Sequence, residues 1–436
     1  MCARVDFGVR ENGYRPEEDA GATGGMAVSH VVSLTPEEAR RLHFDAIVID
    51  TQQPPATTGF LFTDTMRAAL DECHRGGMAR WEATFVLADL AARELQTSEA
   101  ARRAYLDMWQ RSGVTAACGT YSSWHDPGRG FELAVRRVAQ AHAVVDALGG
   151  ALRLVRRAAD IEQAHRAHAH GLILDFQNTV AYGDDLDRID AFRGLGVRMV
   201  QLTYNVRNLV GDGCTEPRPG GLSRFGQEVV KRLNATRTLI DVSHCAEQVG
   251  WDALDVSDAP IVVSHSTAGA LYDNHRAKSD EFAKAVADRG GYFGVVILPA
   301  FLSGAPEPTL DDFADHIEHH VNVCGVDHEG IGTDKTGPGP SDGSMVEFPA
   351  AMPRLRPTEF NWWGFRDSGG LRARRGRDDP TIGADRLPPT FRLKGYDDFR
   401  DWPNLTVHLA QRGFNEDQLR KLLGLNFLRV FRDVVG

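Results

Sequence analysis

The segment TLIDVSHCAEQVGWDALDVSDAPIVVSH, residues 238–265, decides the fold because it contains two similar strands joined by one connecting unit. Residues 238–244 and 260–265 are short runs rich in Val and Ile, and each ends in the dipeptide Ser-His. The two histidines, His244 and His265, are separated by the length of one strand–helix repeat. We therefore predict that they follow adjacent parallel strands and point into the same mouth.

Six further runs of the same kind bring the number of predicted strands to eight. They cover residues 45–50, 114–121, 171–176, 197–204, 291–298 and 329–334. Amphipathic stretches that predict helices lie between most of them, for example at 36–43, 131–148, 187–196, 225–235, 280–290 and 309–325, and closing helices are predicted within 415–435. Eight apolar strands alternating with helices predict an α/β protein with a (β/α)₈ TIM-type barrel. A doubly wound open sheet is the alternative, and the absence of a GxGxxG motif after the first strand disfavours it.

Length and composition limit the domain organisation and the partners. The chain has 436 residues, of which 42% are hydrophobic and 25% charged, with a net charge of -11 and six cysteines without CxxC pairs. We expect a flexible lead-in over 1–35 and a single barrel domain over 36–436 with a long loop insert, 336–400, near the active-site mouth. The acidic balance disfavours nucleic acid and anionic membranes as partners. The scattered cysteines and the lack of an apolar leader indicate a cytoplasmic protein.

The ends of the predicted strands carry residues that can bind a metal. In a barrel, catalytic groups lie at the carboxyl ends of the strands. His244 and His265 supply two imidazoles there, and Asp175 and Asp334 are the candidate carboxylates that complete a zinc or iron site. Other histidines are expected to take no part, including those of the helix at 309–325, which we expect to face solvent.

Three stretches resemble the membrane (renal) dipeptidase family, whose members are zinc peptidases with an amidohydrolase-like (β/α)₈ fold. They are GLSRFGQEVVKRLNATRTLIDVSHCAEQVGWDALDVSDAPIVVSHSTAGALYDNHRAKSDE at 220–281, ADHIEHHVNVCGVDHEGIGTD at 314–334 and GLNFLRVF at 424–431. The resemblance runs from about residue 40 to the C-terminus. Members of this family typically hold two metals, so the resemblance implies a metal site whose residues can be compared position by position.

The ligands of the second metal and the substrate-binding arginine of the family are retained. The resemblance implies that His244 and His265 bind the second metal and that Arg276 binds a substrate carboxylate. It also implies that Asp334, at the end of the last strand, is catalytic. Asp175 takes the place of a bridging Glu and is the expected third metal ligand.

The ligands of the first metal are replaced. The family's His-x-Asp after the first strand becomes Gln52 and Pro54, and its histidine after the fourth strand becomes Tyr204. Proline has no side-chain ligand, and an amide oxygen is a poor substitute for imidazole on a transition metal. We therefore expect a single divalent transition metal per chain. Zinc is the expected metal, and iron is the alternative. Around the bridging position, the register leaves Gln177 as an alternative to Asp175.

Three functions remain open from the sequence. The first is a mononuclear hydrolase of a dipeptide or N-acyl amino acid, in which Asp334 moves a proton and Tyr204 stabilises the oxyanion. Arg276, Gln52 and Tyr204 would bind a small substrate that carries a free carboxylate. The second is a non-hydrolytic Fe(II)/O₂ enzyme with a two-His, one-carboxylate site. The third is a non-catalytic binding homologue. A homodimer is an open alternative to a monomer.

Overall fold

The computed structural model describes residues 34–53, 61–76, 80–122, 128–305, 307–334 and 393–436. The predicted lead-in and the predicted insert therefore lie almost entirely outside the described residues. Within the described segments, no helix has both the length and the apolar character that crossing a bilayer requires.

The described residues form a single parallel sheet that curves into a nearly closed barrel. Its nine strands are β1 (Ile49–Gln53), β2 (Ala116–Thr120), β3 (Leu152–Leu154), β4 (His170–Phe176), β5 (Val197–Gln201), β6 (Leu239–Asp241), β7 (Val262–Ser266), β8 (Tyr292–Val295) and β9 (Glu329–Ile331). Eight of them follow the order β1-β2-β4-β5-β6-β7-β8-β9, and β3 is an additional strand that pairs with β4. The predicted (β/α)₈ fold is thus confirmed.

Side-chain and backbone contacts between β1 and the end of β9 bring the two edges of the barrel together. The amide of Asp334 donates to the Gln52 carbonyl at 2.8 Å, and the Thr51 hydroxyl donates to the Ile331 carbonyl at 3.1 Å. Asp50, which is fully buried, accepts hydrogen bonds from the amide and the hydroxyl of Thr333 at 2.9 and 2.6 Å. The seam of the barrel is therefore closed beside the residue that the sequence predicts to be catalytic.

Helices surround the barrel and separate most of its strands. They are Pro36–Asp45, Asp64–Arg75, Arg80–Thr97, Glu99–Ser112, Gly130–Ala147, Ala158–Arg166, Asp187–Leu195, Arg224–Ala235, Glu247–Val256, Asp280–Asp288, Pro299–Leu302, Leu310–Cys324, Trp402–Gln411, Glu416–Arg420 and Asn426–Val435. The first helix begins with a capping box, in which Thr35 and Glu38 satisfy each other's backbone amides.

The C-terminal helix Asn426–Val435 covers the amino-terminal end of the barrel. The Asn426 side chain donates to the backbone carbonyl of Glu329, the first residue of β9, at 2.8 Å. The Phe427 ring packs edge-on against Tyr292, the first residue of β8. This end of the barrel is therefore sealed by packing, and the carboxyl ends of the strands form the opposite, functional face.

Candidate metal centre

The two Ser-His histidines meet at the carboxyl end of the barrel. His244 lies three residues beyond β6, His265 lies within β7, and both are buried. Their Nε2 atoms are 2.9 Å apart. One carboxylate oxygen of Asp334 joins them, so that the three ligand atoms all lie within 4.8 Å of one another. The pairing that the repeat in the sequence predicts is therefore present in the structure.

The tautomer of His244 is set by Asn205. Nδ1 of His244 donates to the side-chain oxygen of Asn205 at 2.7 Å, which leaves Nε2 with a free lone pair. Asn205 has a left-handed backbone with φ 60°, a conformation that asparagine tolerates better than most residues. The chain passes so close that a Cβ on Gly213 would come within 2.1 Å of the Asn205 carbonyl carbon, so only glycine fits there.

A short relay sets the tautomer of His265. The Ser264 hydroxyl donates to Oδ2 of Asp241 at 2.6 Å, so its oxygen accepts from Nδ1 of His265 at 2.7 Å. Asp241 is buried and also accepts a 2.6 Å bond from the Ser243 hydroxyl. Partners of this kind orient a metal-binding imidazole and raise its basicity. Nε2 of His265 therefore also carries a free lone pair, and it faces Nε2 of His244.

With the proton of each imidazole on Nδ1, two lone pairs face each other at 2.9 Å, and a cation between them would relieve their repulsion. A shared proton is disfavoured, because burial and then the Arg276 guanidinium lower the pKa of both imidazoles well below the usual value. Two imidazole nitrogens and a carboxylate oxygen are the donor set of mononuclear zinc and iron sites. The residues present therefore fit a divalent transition metal held by His244, His265 and Asp334.

Asp175 is outside this group of three ligand atoms. Its Oδ2 accepts a 3.1 Å hydrogen bond from the Thr120 hydroxyl, and its Oδ1 is buried without a hydrogen-bond partner. Burial raises the pKa of Asp175 well above the usual value. The assignment of Asp175 as the third ligand stays a prediction. Among the residues near the predicted bridging position, the Gln177 amide nitrogen lies 3.5 Å from Nε2 of His265.

Gln52 continues the same polar row across β1, β2 and β4. Its amide nitrogen donates to the Thr120 hydroxyl at 2.9 Å, and its amide oxygen is buried and unpaired. The neighbouring Gln53 is also buried, and neither side-chain polar atom has a hydrogen-bond partner. Pro54 lies outside the described residues. Where the family has a first metal ligand, this chain has an amide that is turned toward a threonine.

Arg276 and Tyr204 flank the two histidines. Arg276 is fully buried and donates to the carbonyls of Ser243 at 2.5 Å and His265 at 2.9 Å, while its Nε has no hydrogen-bond partner. The Tyr204 ring stacks on His244 with centroids 4.2 Å apart. Burial raises the pKa of the Tyr204 phenol, so it stays protonated and can donate a hydrogen bond. Two of the three predicted substrate-binding residues, Arg276 and Tyr204, therefore lie beside the two histidines.

Sequence reasoning missed the residues that orient the two ligands. Asn205 directly follows Tyr204, and Ser264 directly precedes His265 in the second Ser-His dipeptide. The repeated Ser-His pair was a usable signal for Ser264, but no local pattern indicated Asn205. The expectation that the histidines of the helix Leu310–Cys324 face solvent was wrong for His316 and His320, which are both buried. They lie on the side of the helix that packs against the barrel.

A histidine–carboxylate cluster at the carboxyl end of a (β/α)₈ barrel is typical of one class of protein, the metal-dependent enzymes built on this barrel. The model of the membrane dipeptidase family, peptidase family M19, matches residues 76–346 and 372–435 of the chain. The chain therefore belongs to the membrane dipeptidase family.

Several relatives and solved structures are similar to the chain. An amidohydrolase from Pseudomonas aeruginosa is 30% identical, covers 92% of this chain and 99% of its own, and has a TM-score of 0.67. A metallopeptidase from Rhodobacter sphaeroides, solved with a phosphinate mimic of the dipeptide L-Ala-D-Ala, shares the fold with a TM-score of 0.59 at 19% identity, over 76% of this chain and 89% of its own.

Dipeptidase tcpJ from Claviceps purpurea (strain 20.1) is 26% identical over 286 residues, which is 65% of this chain. The chain spans 55% of the length of that relative and 63% of the length of dipeptidase verJ from Clonostachys rogersoniana.

Proposed function

We propose that this protein is a mononuclear metal hydrolase that cleaves the amide or peptide bond of a small substrate carrying a free carboxylate. The observation that carries the proposal is the pair of imidazole Nε2 atoms 2.9 Å apart, with a carboxylate oxygen of Asp334 completing the group. Zinc is the metal we expect, since two imidazoles and a carboxylate with an open position are typical of catalytic zinc. Dipeptides are the substrate class that the names of the relatives support.

The residues around the first-metal position support a single metal. Gln52 uses its amide nitrogen to bond Thr120, and Asp175 uses one oxygen to accept from the same hydroxyl. This arrangement ties both side chains to each other through Thr120 instead of presenting an imidazole and a bridging carboxylate. His244 and His265 are then the imidazoles of a one-metal site.

The chain's own residues can position the substrate and handle the proton. A metal bound here would polarise the scissile carbonyl and activate water. In the metal-free protein, burial raises the pKa of Asp334 to about 7, against the opposing effect of Arg276. With one carboxylate oxygen toward the metal, the second oxygen of Asp334 would accept a proton from the attacking water and return it to the leaving amine. The protonated Tyr204 phenol, whose ring stacks on His244, would donate to the oxygen on which charge develops.

Arg276 supports the preference for a carboxylate. Its guanidinium has five N–H donors, and the backbone carbonyls of Ser243 and His265 take two of them. These two bonds fix the plane of the guanidinium beside the histidines, and the remaining donors include the unpaired Nε. A fixed planar fork with free donors suits a carboxylate better than a neutral group.

The same donor set favours one second candidate, a non-hydrolytic Fe(II)/O₂ enzyme. His244, His265 and Asp334 form two imidazoles and one carboxylate, which is also the ligand set of non-haem iron oxygenases. In that case we expect iron, oxygen consumption and no release of amino acids from dipeptides.

The test is to load the metal-free protein with Zn²⁺ or Fe²⁺ and to assay both forms on a dipeptide panel that includes L-Ala-D-Ala. Under the proposal, the zinc form hydrolyses at least one dipeptide or N-acyl amino acid and the His265→Ala control does not. Oxygen uptake by the iron form alone would favour the second candidate. Inactivity of both forms, with a metal bound, would contradict the proposal and favour a binding protein.

A further inference from the structure

A second group of metal-ligand side chains lies far from the mouth of the barrel, between the sheet and its helices. His320, Cys324 and Glu329 each offer one ligand atom, and these three atoms lie within 4.8 Å of one another. His320 and Glu329 are fully inaccessible to solvent, and Cys324 is half-buried. Among the described residues, this is the other group besides His244, His265 and Asp334 in which three such atoms come together.

Local structure explains why the three side chains converge. His320 and Cys324 are four residues apart on the helix Leu310–Cys324, so they share one face of it. Gly325 ends that helix with φ 85°, and a short turn over Val326–His328 returns the chain to β9. Glu329 is the first residue of β9, and it faces the helix layer as Ile331 does two residues later.

The polar atoms of this group are left unsatisfied by the protein. Both imidazole nitrogens of His320 are buried without a hydrogen-bond partner. Both carboxylate oxygens of Glu329 lack a nitrogen or oxygen donor, and the Cys324 thiol is the group that interacts with them. Each unsatisfied buried polar group costs about 1–3 kcal/mol, so four in one place need an explanation.

In the described part of the chain, no side-chain nitrogen or oxygen atom hydrogen-bonds the imidazole of His320 or the carboxylate of Glu329. The His320 ring lies against Phe293 with centroids 4.0 Å apart, and Phe293 is the β8 residue that pairs in register with Glu329. The nearby His319 donates away from the group, from its Nε2 to Asp280 at 2.8 Å. The three side chains are therefore enclosed by apolar packing on the sheet side and face one another.

We propose that His320, Cys324 and Glu329 form a second, structural site for a borderline divalent transition metal such as zinc, at the amino-terminal start of β9. Thiolate, imidazole and carboxylate are each accepted zinc ligands, and one ion would satisfy donors on all three residues. The two negative charges of thiolate and carboxylate balance the charge of the ion, so the buried site is neutral when filled.

Without an ion, the group is neutral by protonation. Burial raises the pKa of both Glu329 and Cys324 and lowers the pKa of His320 well below its usual value. Metal binding would then displace the protons of the thiol and the carboxyl group, in keeping with the need for deprotonated ligands. The filled site would join the helix Leu310–Cys324 to β9, the strand that leads to Asp334.

Cobalt provides a test that separates this site from the catalytic centre. His244, His265 and Asp334 include no cysteine, so a thiolate-to-cobalt charge-transfer band in the near ultraviolet reports on the new site alone. We expect two Co²⁺ per full-length chain in the wild type, and one in His265→Ala with the charge-transfer band retained. We expect one in Cys324→Ser with the band lost completely.

The controls keep the outcome interpretable. Cys73→Ser removes a buried cysteine elsewhere and should leave the band unchanged. Glu329→Gln keeps the size of the side chain, so loss of cobalt in that variant reflects loss of a ligand and not a cavity. Absence of the band in the wild type, or its persistence in Cys324→Ser, would overturn the proposal. Dipeptide hydrolysis is measured separately, so failure of the proposed hydrolase activity would leave this result unaffected.

Discussion

His244 and His265 are held as ligands by neighbours that are specific to each. Asn205 fixes one imidazole through a side-chain oxygen, and Ser264 with Asp241 fixes the other through a hydroxyl relay. Both arrangements place the proton on Nδ1 and leave Nε2 for the metal. Because neither imidazole can rotate without losing that bond, the site is organised before a metal enters.

Removing either histidine should abolish tight binding of the catalytic metal. His244→Ala or His265→Ala deletes one of three protein ligands in a site that needs an open position. The fold should survive, because the barrel core supplies most of the stability in a chain of this length. The measurement is the affinity of the His244–His265–Asp334 site, taken in a Cys324→Ser background so that one site is counted, with circular dichroism as the check on folding. Unchanged metal occupancy in either variant would show that the site is assigned to the wrong residues.

Asn205 offers a matched pair of substitutions. Asn205→Gly removes the oxygen but tolerates the left-handed φ of 60°, whereas Asn205→Asp keeps both an oxygen acceptor and a short side chain. Loss of a partner that orients a ligand typically lowers metal affinity by about 10–100-fold. We expect that loss in Asn205→Gly and near-wild-type affinity in Asn205→Asp, measured by competition with a chelator. Equal affinities in the two variants would mean that Asn205 does not orient His244.

Arg276 can be tested by a change that preserves charge. Arg276→Lys keeps the positive charge but loses the planar fork that binds a carboxylate in two places. We expect KM for a free-carboxylate substrate to rise much more than KM for its amide analogue, so that the preference for the carboxylate falls. If wild type and variant discriminate equally between the two substrates, Arg276 does not bind the carboxylate.

At the scale of elements, the first helix is fastened to the rest of the molecule by a buried histidine. His43, near the end of the helix Pro36–Asp45, bonds the Thr406 hydroxyl and the Ser112 carbonyl, both at 2.7 Å. It thereby ties the segment before β1 to the helix Trp402–Gln411 and to the end of the helix Glu99–Ser112. Burial lowers the pKa of His43 to about 4, so the folded protein holds this imidazole in its neutral form.

The lowered pKa of His43 predicts a loss of stability in mild acid. Between the unfolded value of 6.5 and the folded value of about 4, the unfolded chain binds more protons, so the free energy of unfolding decreases as the pH falls. The contribution of His43 to the free energy of unfolding is fully present above pH 6.5 and declines by about 1.4 kcal/mol per pH unit below it. When the pH falls from 7 to 5, the free energy of unfolding should therefore decrease by about 2 kcal/mol less in His43→Gln than in the wild type. Denaturant unfolding of the metal-free proteins at both pH values measures the difference, and parallel losses would contradict the assignment.

The elements themselves could be predicted where their pattern is strong. The eight strands of the barrel and the helices near 131–148, 225–235 and 309–325 follow from apolar runs and helical periodicity. The strand β3 was missed because Leu152–Leu154 is three residues long and carries an Arg at its centre. The apolar run predicts the first strand at 45–50, because it includes Ala46 and Ile47, whereas β1 covers Ile49–Gln53 and continues through polar residues. The polar residues at the end of β1 belong to the functional face of the barrel. Hydrophobic periodicity cannot assign them to a strand, because it counts only apolar positions.

At the scale of the whole molecule, the sequence predicted which residues meet more reliably than which of them bind. A fold-level argument brings His244, His265 and Asp334 to one end of the barrel, and the structure places them there. Asp175 accepts a hydrogen bond from the Thr120 hydroxyl on another strand, and this bond competes with metal binding. No sequence pattern around either residue indicates that the two side chains meet. The group of His320, Cys324 and Glu329 was missed for a similar reason. Its ligands combine one face of a helix with the start of the next strand.

The proposed one-metal site can be tested at this scale by restoring the ligands of a second metal. Gln52→His, Pro54→Asp and Asp175→Glu together restore the residue types that the family places around its first metal. Gln52 and Asp175 are already linked through Thr120, and the unpaired oxygens Gln52 Oε1 and Asp175 Oδ1 show that polar groups are available there. All three changes are needed, because a bridging carboxylate must reach two ions and a lone imidazole cannot hold one.

We expect the triple variant to bind one more transition metal per chain than the unmodified protein and to gain little dipeptidase activity. A second ion must be placed accurately, since a misplacement of about 1 Å costs on the order of 100-fold in rate. The matched control carries Gln53→His in place of Gln52→His, on a neighbouring residue of β1 that is equally buried. Metal content and dipeptide hydrolysis are measured side by side on all three proteins. An extra metal in the control variant would show that the position of the histidine is irrelevant. Equal metal content in the triple variant and the unmodified protein would show that these three positions do not form a second metal site.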